Sequence, residues 1–258
     1  MAAELREIAK AFVDARKNGT VLAEYPGNRP SDLATAYAIQ DCALSLWERE
    51  VGGWKVGKIN PPQDELLGAN RLVGPAFADQ IFLAGEKRHV FPIFAGGFGA
   101  VEAEYMLRIA PQGGDLPCDP EKALAWVDEV RIGIEIASSP YAAINADGPC
   151  VTVSDHGNNA GLLLGPAIPP GHWPALNSVQ VSLDVNGKTV GQATTATMLD
   201  GPFGAVSFLL RNLEQRNIEP RAGWWVSSGA ITGVHEVQRG DLVEARFESI
   251  GALEIGIA

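Results

Sequence analysis

From Gly53 to the C-terminus this chain is repeatedly interrupted by Gly and Pro, and that interruption limits what it can fold into. Short apolar segments bounded by Gly and Pro predict strands joined by tight turns. The strand-like stretches are 100–109, 131–137, 161–165, 178–185, 224–227, 242–248 and 252–257. The N-terminal part has a different texture. Residues 2–17 place Leu5, Ile8, Ala9, Phe12 and Val13 on one face of a helix that Asn18-Gly19 stops. Ser31 is a suitable N-cap for a second helix running to about Glu50. Two later helices are expected, one over about 121–129 behind Asp119-Pro120 and one over about 203–217 behind Gly201-Pro202. Nothing in the sequence resembles a repeat or a linker between independent domains. The expectation is one α+β catalytic domain over 1–258, with a helical segment over 1–52 and a mostly β body over 53–258.

The net charge of −11, with no basic stripe to offset it, excludes nucleic acid as the expected partner. An anionic substrate would need a local positive centre, from a metal or from individual Lys and Arg residues. No apolar run approaches the ~18 residues of a membrane span. Glu4, Arg6, Lys10 and Asp14 do not suit a signal peptide, so a cytoplasmic setting is expected. Cys42, Cys118 and Cys150 are too few and too widely spaced for a disulfide framework or a thiolate metal site. Gly96-Gly97-Phe98-Gly99 precedes a strand rather than opening a helix, which removes a dinucleotide-binding reading. No serine sits in a G-x-S-x-G elbow.

The segment Ala100–Ile109 alternates with period two. Val101, Ala103, Tyr105, Leu107 and Ile109 face one side, and Glu102, Glu104 and Arg108 the other. Two carboxylates at i and i+2 lie ~7 Å apart at Cα, near enough to converge on one ion. The wet face of an antiparallel strand would show the same alternation. Glu135 shifts the balance, because it interrupts a strand whose alternate positions are Ile132, Ile134 and Ile136. Gly133 and Ala137 on its own side predict room beside the carboxylate. A buried Glu needs a compensating charge, and a hard cation held by oxygens supplies one. Glu102, Glu104 and Glu135 on Mg²⁺ or Mn²⁺ would leave positions for a 2-oxo acid and water.

At these residues the chain resembles the fumarylacetoacetate hydrolase superfamily, in its 2-oxopent-4-enoate hydratase / 2-oxo-3-hexenedioate decarboxylase branch. The similarity includes Gly53-Trp54-Lys55-Val56-Gly57, Phe77-Ala78-Asp79, Val101-Glu102-Ala103-Glu104 and Gly133-Ile134-Glu135-Ile136. It continues through Ser154-Asp155-His156, Ser228-Gly229-Ala230-Ile231-Thr232 and Arg239-Gly240-Asp241. The resemblance implies a mixed β-roll or barrel-like body with flanking helices, in homo-oligomers. It implies Glu102, Glu104 and Glu135 as metal ligands and Lys55 as an active-site proton carrier. Between glycine-rich turns and near a metal, Lys55 is expected to have its pKa lowered toward a useful range. It further implies Ser228, Gly229 and Thr232 as substrate-binding residues.

Two segments depart from that pattern. Hydratases of the branch carry an acid in a turn between the Lys motif and Phe-Ala-Asp, where this chain has Asn70-Arg71-Leu72-Val73-Gly74-Pro75. Asp155-His156-Gly157-Asn158-Asn159 also differs from the usual pattern. Asp79, Asp155 and His156 are therefore the nearest substitutes for a proton donor. The expected activity is hydration of a 2-hydroxy-2,4-dienoate to a 4-hydroxy-2-oxo acid, in aromatic or related catabolism. Decarboxylation of a 2-oxo-enedioate and C–C hydrolysis of an acylpyruvate share the same logic. A non-catalytic subunit that pairs with a related enzyme is the alternative from a different class.

Overall fold

Strands from residue 51 onward build two sheets, and the N-terminal helices that precede them close over the larger one. The computed structural model describes residues 2–110 and 116–258. In chain order the elements begin α1 (Ala2–Asn18), α2 (Leu33–Leu46), β1 (Val51–Lys58), α3 (Gln63–Leu67) and β2 (Arg71–Phe77). Then come β3 (Ile81–Leu83), β4 (His89–Phe91), β5 (Phe98–Ile109), α4 (Pro120–Ala123), β6 (Val127–Ser139), α5 (Pro149–Ser154) and β7 (Asn159–Ala167). The remainder is β8 (Gln180–Val185), β9 (Lys188–Thr194), α6 (Gly201–Gln215), β10 (Trp225–Ser227), β11 (His235–Glu236), β12 (Leu242–Phe247) and β13 (Gly251–Ile257). The larger sheet runs β2-β1-β10-β5-β6-β7-β3, with β11 also pairing to β5. The smaller runs β4-β13-β12-β8-β9. This is the expected α+β body with helices at the N-terminus.

The two faces of the long β5–β6 ribbon have different neighbours. Val101, Ala103, Tyr105, Leu107, Ile132, Ile134 and Ile136 enter the main core with the second sheet and α6. On the other face, Ala100 and Ala137 pack under Ile8, Phe12 and Ile39 of α1 and α2. Further along that same face Met106 packs with Ala76, Leu162 and Leu164. The positions between these two apolar patches are the glutamates, so they are buried even though their face is not the main core.

Several boundaries differ from the sequence reading. The N-cap of α2 is Asp32, whose side chain accepts from Thr35 N–H, not Ser31. The helix ends at Leu46 because the backbone turns extended at Trp47, and β1 begins at Val51. The helix expected over 121–129 stops at Ala123 and gives way to a three-ten turn, since Val127 already belongs to β6. There Ile109 of β5 pairs with Val127, so tertiary pairing overrides the local propensity. Trp54 lies in the core against Trp224, with 6.0 Å between ring centroids. Among the described residues no helix is long and apolar enough to cross a membrane.

The N-terminal helix also anchors the loop after α5. Arg16 of α1 is fully engaged. It meets both oxygens of Asp155 (2.5 and 2.8 Å) and donates to the carbonyls of Ser138 and Asn159. Burial alone would raise the Asp155 carboxyl, but Arg16 and His156 hold it down at about 2. Its folded value lies below the ordinary 3.8, so its contribution is present above that pH and lost as pH falls toward 2. That interval is worth about 2 kcal/mol. Arg16→Met strands a buried carboxylate and should destabilise the protein by about 3–5 kcal/mol at pH 7. Urea titrations at pH 7 and pH 3 check this, since the variant's deficit should shrink at the lower pH.

Candidate active site

Register brings the acidic side chains together. In the antiparallel β5–β6 pair, Glu102 stands directly opposite Glu135, and Glu104 lies two residues along opposite Gly133. Cross-strand partners share a face, as do residues i and i+2. All three are buried, and one oxygen from each lies within 4.8 Å of the others. Among the described residues this is the only cluster of three or more Asp, Glu, His or Cys side chains so disposed. Gly133 does not leave the open space expected of it. A Cβ there would meet the Met106 side chain at 2.5 Å, so the sulfur-containing chain already fills that position.

Lys55 answers the negative charge from two strands away. It pairs in register with Ser227 of β10, and Ser227 with Met106 of β5, so its side chain crosses β10 toward the glutamates. The Lys55 Nζ lies 3.4 Å from Glu135 Oε1 and donates to Asn158 Oδ1 at 3.3 Å. Burial pulls the lysine pKa down, but Glu135, Glu102 and Glu104 pull harder and the net direction is upward. Without a cation, three carboxylates outweigh desolvation.

The glutamates show the matching imbalance. Burial raises Glu104 well above the usual carboxylate range, and the charges of Glu135 and Glu102 add to it. Burial likewise pushes Glu135 up to about 7, against the pull of Lys55. One oxygen of each is held: Ser227 Oγ and Gly229 N–H (2.8 Å) donate to Glu104 Oε2, and Asn159 Nδ2 to Glu135 Oε1 at 2.9 Å. Glu104 Oε1 and Glu135 Oε2 are buried with no hydrogen-bond partner. One lysine cannot balance three carboxylates, and orphaned buried oxygens carry a desolvation penalty. A hard divalent cation taking carboxylate oxygens removes both costs, so the residues fit such an ion.

The loop that supplies Asn158 and Asn159 is conformationally unusual. His156, Gly157 and Asn158 have φ of 59°, 62° and 57°, three left-handed residues in a row. Such residues persist only where the surroundings enforce them. Here the Arg16–Asp155 pair fixes one end and β7 the other. Gly74 of β2 is required for the fit, because a Cβ there would sit 2.0 Å from the His156 carbonyl oxygen.

Of the other sequence candidates, Gly229 touches the carboxylate cluster, whereas Asp79, Asp155 and His156 are engaged by partners outside it. Asp79 is exposed at the surface and meets Arg49 through both oxygens. Asp155 is consumed by Arg16. His156 accepts from Trp47 Nε1 at 3.0 Å on Nε2, which leaves the proton on Nδ1, 3.2 Å from Asp155 Oδ1. Both ring nitrogens are thus occupied, and burial lowers its pKa. Gly229 gives its amide to Glu104. Ser228 Oγ is buried and unpartnered, and the Thr232 carbonyl lies 3.0 Å from His235 Nε2. Arg16, Ser227, Asn158 and Asn159 received no role from sequence. Asn158 and Asn159 stood inside a segment already marked as unusual, and Ser227 adjoined the Ser228–Thr232 motif; nothing marked Arg16. Groups that orient metal-holding carboxylates usually carry a large part of the affinity. Ser227→Ala and Asn159→Ala should each weaken Mg²⁺ or Mn²⁺ binding by about 10–100-fold, measured by calorimetry.

A curled mixed sheet, N-terminal helices and a buried acidic triad answered by one lysine together define an enzyme with a carboxylate-lined site. The chain belongs to the fumarylacetoacetate hydrolase family: residues 90–258 match the family described as Fumarylacetoacetate (FAA) hydrolase C-terminal. It is similar to 2-keto-4-pentenoate hydratase of Paraburkholderia xenovorans (strain LB400), at 28% identity over 96% of this chain and 92% of that protein. A shorter similarity, 26% over 53% of this chain and 51% of the relative, is to 4-oxalocrotonate decarboxylase of Pseudomonas putida. The fold matches that of 4-oxalocrotonate decarboxylase from Pseudomonas putida G7, solved with magnesium and adipate. The TM-score is 0.83 at 20% identity, covering 100% of this chain and 98% of that one.

Proposed function

We propose that this protein is a divalent-metal-dependent hydratase acting on a 2-hydroxy-2,4-dienoate, with Glu102, Glu104 and Glu135 holding Mg²⁺ or Mn²⁺. The observation that carries the reading is the convergence of three buried carboxylates, two with orphaned oxygens, around one buried lysine. Similarity along nearly the whole chain to a protein named as a hydratase supports it. The bound cation would supply Lewis acidity at the substrate's carboxylate and C2 oxygen.

The chain's own residues do the proton work. Lys55, held charged by its carboxylate neighbours, begins as an acid and gives a proton to C5 as the dienol becomes the 2-oxo acid. The C2 hydroxyl proton leaves to solvent in that step; the resulting amine then takes a proton from the water that adds to C4, delivers it to C3, and is recharged from solvent. Net, one water enters: the C2 hydroxyl loses a proton, C3 and C5 gain one each, and C4 gains the hydroxyl. Asn158 fixes Lys55, and Ser227, Gly229 and Asn159 fix the carboxylates, so the proton carrier and the charged site keep one geometry. Of the Ser228–Thr232 segment that the resemblance assigns to substrate binding, Gly229 touches the cluster through Glu104.

A second reading is decarboxylation of a 2-oxo-enedioate. It is favoured by the engagement of Asp79, Asp155 and His156 elsewhere, which leaves Lys55 as the proton carrier beside the triad among the described residues. The test is ultraviolet loss of a dienoate with Mg²⁺, alongside release of carbon dioxide from a 2-oxo-enedioate. Hydrated product without carbon dioxide supports the hydratase reading, and carbon dioxide alone replaces it with the second. Full activity in Glu102→Ala would remove the metal assignment.

A further inference from the structure

The direction of the Lys55 N–H bonds is set by few groups, and one of those is itself held from the protein surface. The loop after α5 lies on the lysine stem, since a Cβ at Gly157 would stand 3.1 Å from both Lys55 Cδ and Gly74 Cα. With the stem confined between β2 and the loop, only the end of the side chain has a choice of direction. One N–H meets Glu135 Oε1 at 3.4 Å and another meets Asn158 Oδ1 at 3.3 Å. Tetrahedral geometry then fixes the third position on nitrogen, the one left to give a proton to substrate or take one from water.

Asn158 is directed in turn. An amide is nearly symmetric in shape, so its neighbours decide which end faces which. The Asn158 carbonyl faces Lys55, and its Nδ2 donates to Asn145 Oδ1 at 2.9 Å. Asn145 stands in the connection between β6 and α5, where the Thr152 hydroxyl lies 3.3 Å from the same oxygen. Its main-chain carbonyl accepts from Gly148 N–H at 3.2 Å. Asn145 is exposed, whereas Asn158 and Lys55 are buried. A chain of side chains therefore runs from the surface to the proton carrier, each donor facing an acceptor.

The two states of Lys55 make different demands on that chain. The ammonium is donor only and holds the Asn158 carbonyl toward itself. The amine left after proton transfer also has a lone pair. If Asn158 turned, its NH2 would donate to that lone pair and withhold it from water. Turning would also set the Asn158 oxygen against Asn145 Oδ1, two acceptors in contact, in place of the 2.9 Å hydrogen bond. We infer that Asn145 is a positioning residue for proton transfer: by accepting from Asn158 Nδ2 it keeps the Asn158 carbonyl on Lys55 while the lysine is neutral. This rests on Lys55 as the proton carrier of the proposed function, and deepens that reading.

The test uses Asn145→Leu, which keeps the volume and removes the acceptor, and Asn145→Asp, which keeps an acceptor. Should Asn145→Leu not fold, Asn145→Ala takes its place. Turnover is measured with Mg²⁺ on a dienoate and on a 2-oxo-enedioate, and affinity for Mg²⁺ and for pyruvate by calorimetry. Asn145→Leu should lower kcat about tenfold, the worth of one hydrogen bond, with both affinities within about twofold of wild type. Asn145→Asp should recover most of that loss. In an Asn158→Ala background, which is itself slow, Asn145→Leu should cost nothing more, because the two residues act as one chain. Unchanged kcat in Asn145→Leu, no recovery in Asn145→Asp, or a further loss on top of Asn158→Ala overturns the inference and leaves Lys55 as the proton carrier. Affinities that fall as far as kcat make Asn145 a structural support and overturn it likewise, as does full turnover in Asn158→Ala. Turnover of neither substrate by the wild type overturns the Lys55 reading together with the inference.

Discussion

Lys55→Met should lower kcat by about 10²–10⁴-fold, the range spanned by removal of a positioned proton-transfer group. The same substitution should destabilise the cation-free protein by about 3 kcal/mol, because it takes away the one positive charge that three buried carboxylates share. These two effects separate on adding Mg²⁺. A divalent ion replaces the lost charge, so most of the stability deficit in urea titrations should disappear, whereas turnover should stay low. Methionine keeps the length and apolar stem of lysine, so the packing over β10 survives. If Mg²⁺ restored turnover along with stability, Lys55 would be a structural counter-charge and not the proton carrier.

How much of this was legible beforehand depended on how local the signal was. The Glu102/Glu104 pair and the isoleucine-flanked Glu135 were visible because strand periodicity assigns faces over two residues. The antiparallel register that sets Glu102 opposite Glu135 follows from no short-range signal, but it completes what the periodicity suggested. The face on which the glutamates lie was harder to judge. Its burial comes from Ile8, Phe12 and Ile39, which arrive from the N-terminal helices far away in sequence. Arg16 illustrates the limit most clearly: its partner Asp155 lies 139 residues on, and a helix ending in Arg16-Lys17 also fits an ordinary charged C-terminus. The sequence likewise pointed to Asp155 and His156 as chemical candidates. In the fold they are buried support for the loop that carries Asn158 and Asn159. The number of carboxylates around Lys55, which sets the direction of its pKa in the cation-free site, comes from register and not from local sequence.

Glu104→Gln should abolish the stabilisation that Mg²⁺ gives the wild type while leaving the cation-free fold as stable or more so. In the wild type, Mg²⁺ at a hundred times its Kd contributes about 2.7 kcal/mol. For a chain of this size that raises Tm by roughly 5–10 °C. Removing one of three ligands should cost more than removing a group that only orients one, hence a loss of affinity beyond about a hundredfold. The opposite sign in the cation-free protein follows from the environment of Glu104. Burial and the charges of Glu135 and Glu102 raise its pKa well above the ordinary range, so the site disfavours the ionised form. Glutamine mimics the protonated acid, and its carbonyl oxygen can still accept from Ser227 and Gly229. Thermal melts with and without Mg²⁺ therefore give a result that misfolding cannot imitate: an unchanged or higher Tm without the ion, no shift on its addition, and no turnover. A Glu104→Gln protein that still gained several degrees from Mg²⁺ would place the ion elsewhere. A lower Tm without the ion would mean that Lys55 already neutralises the cluster, and that the carboxylates are a structural network rather than a site kept unbalanced for a cation.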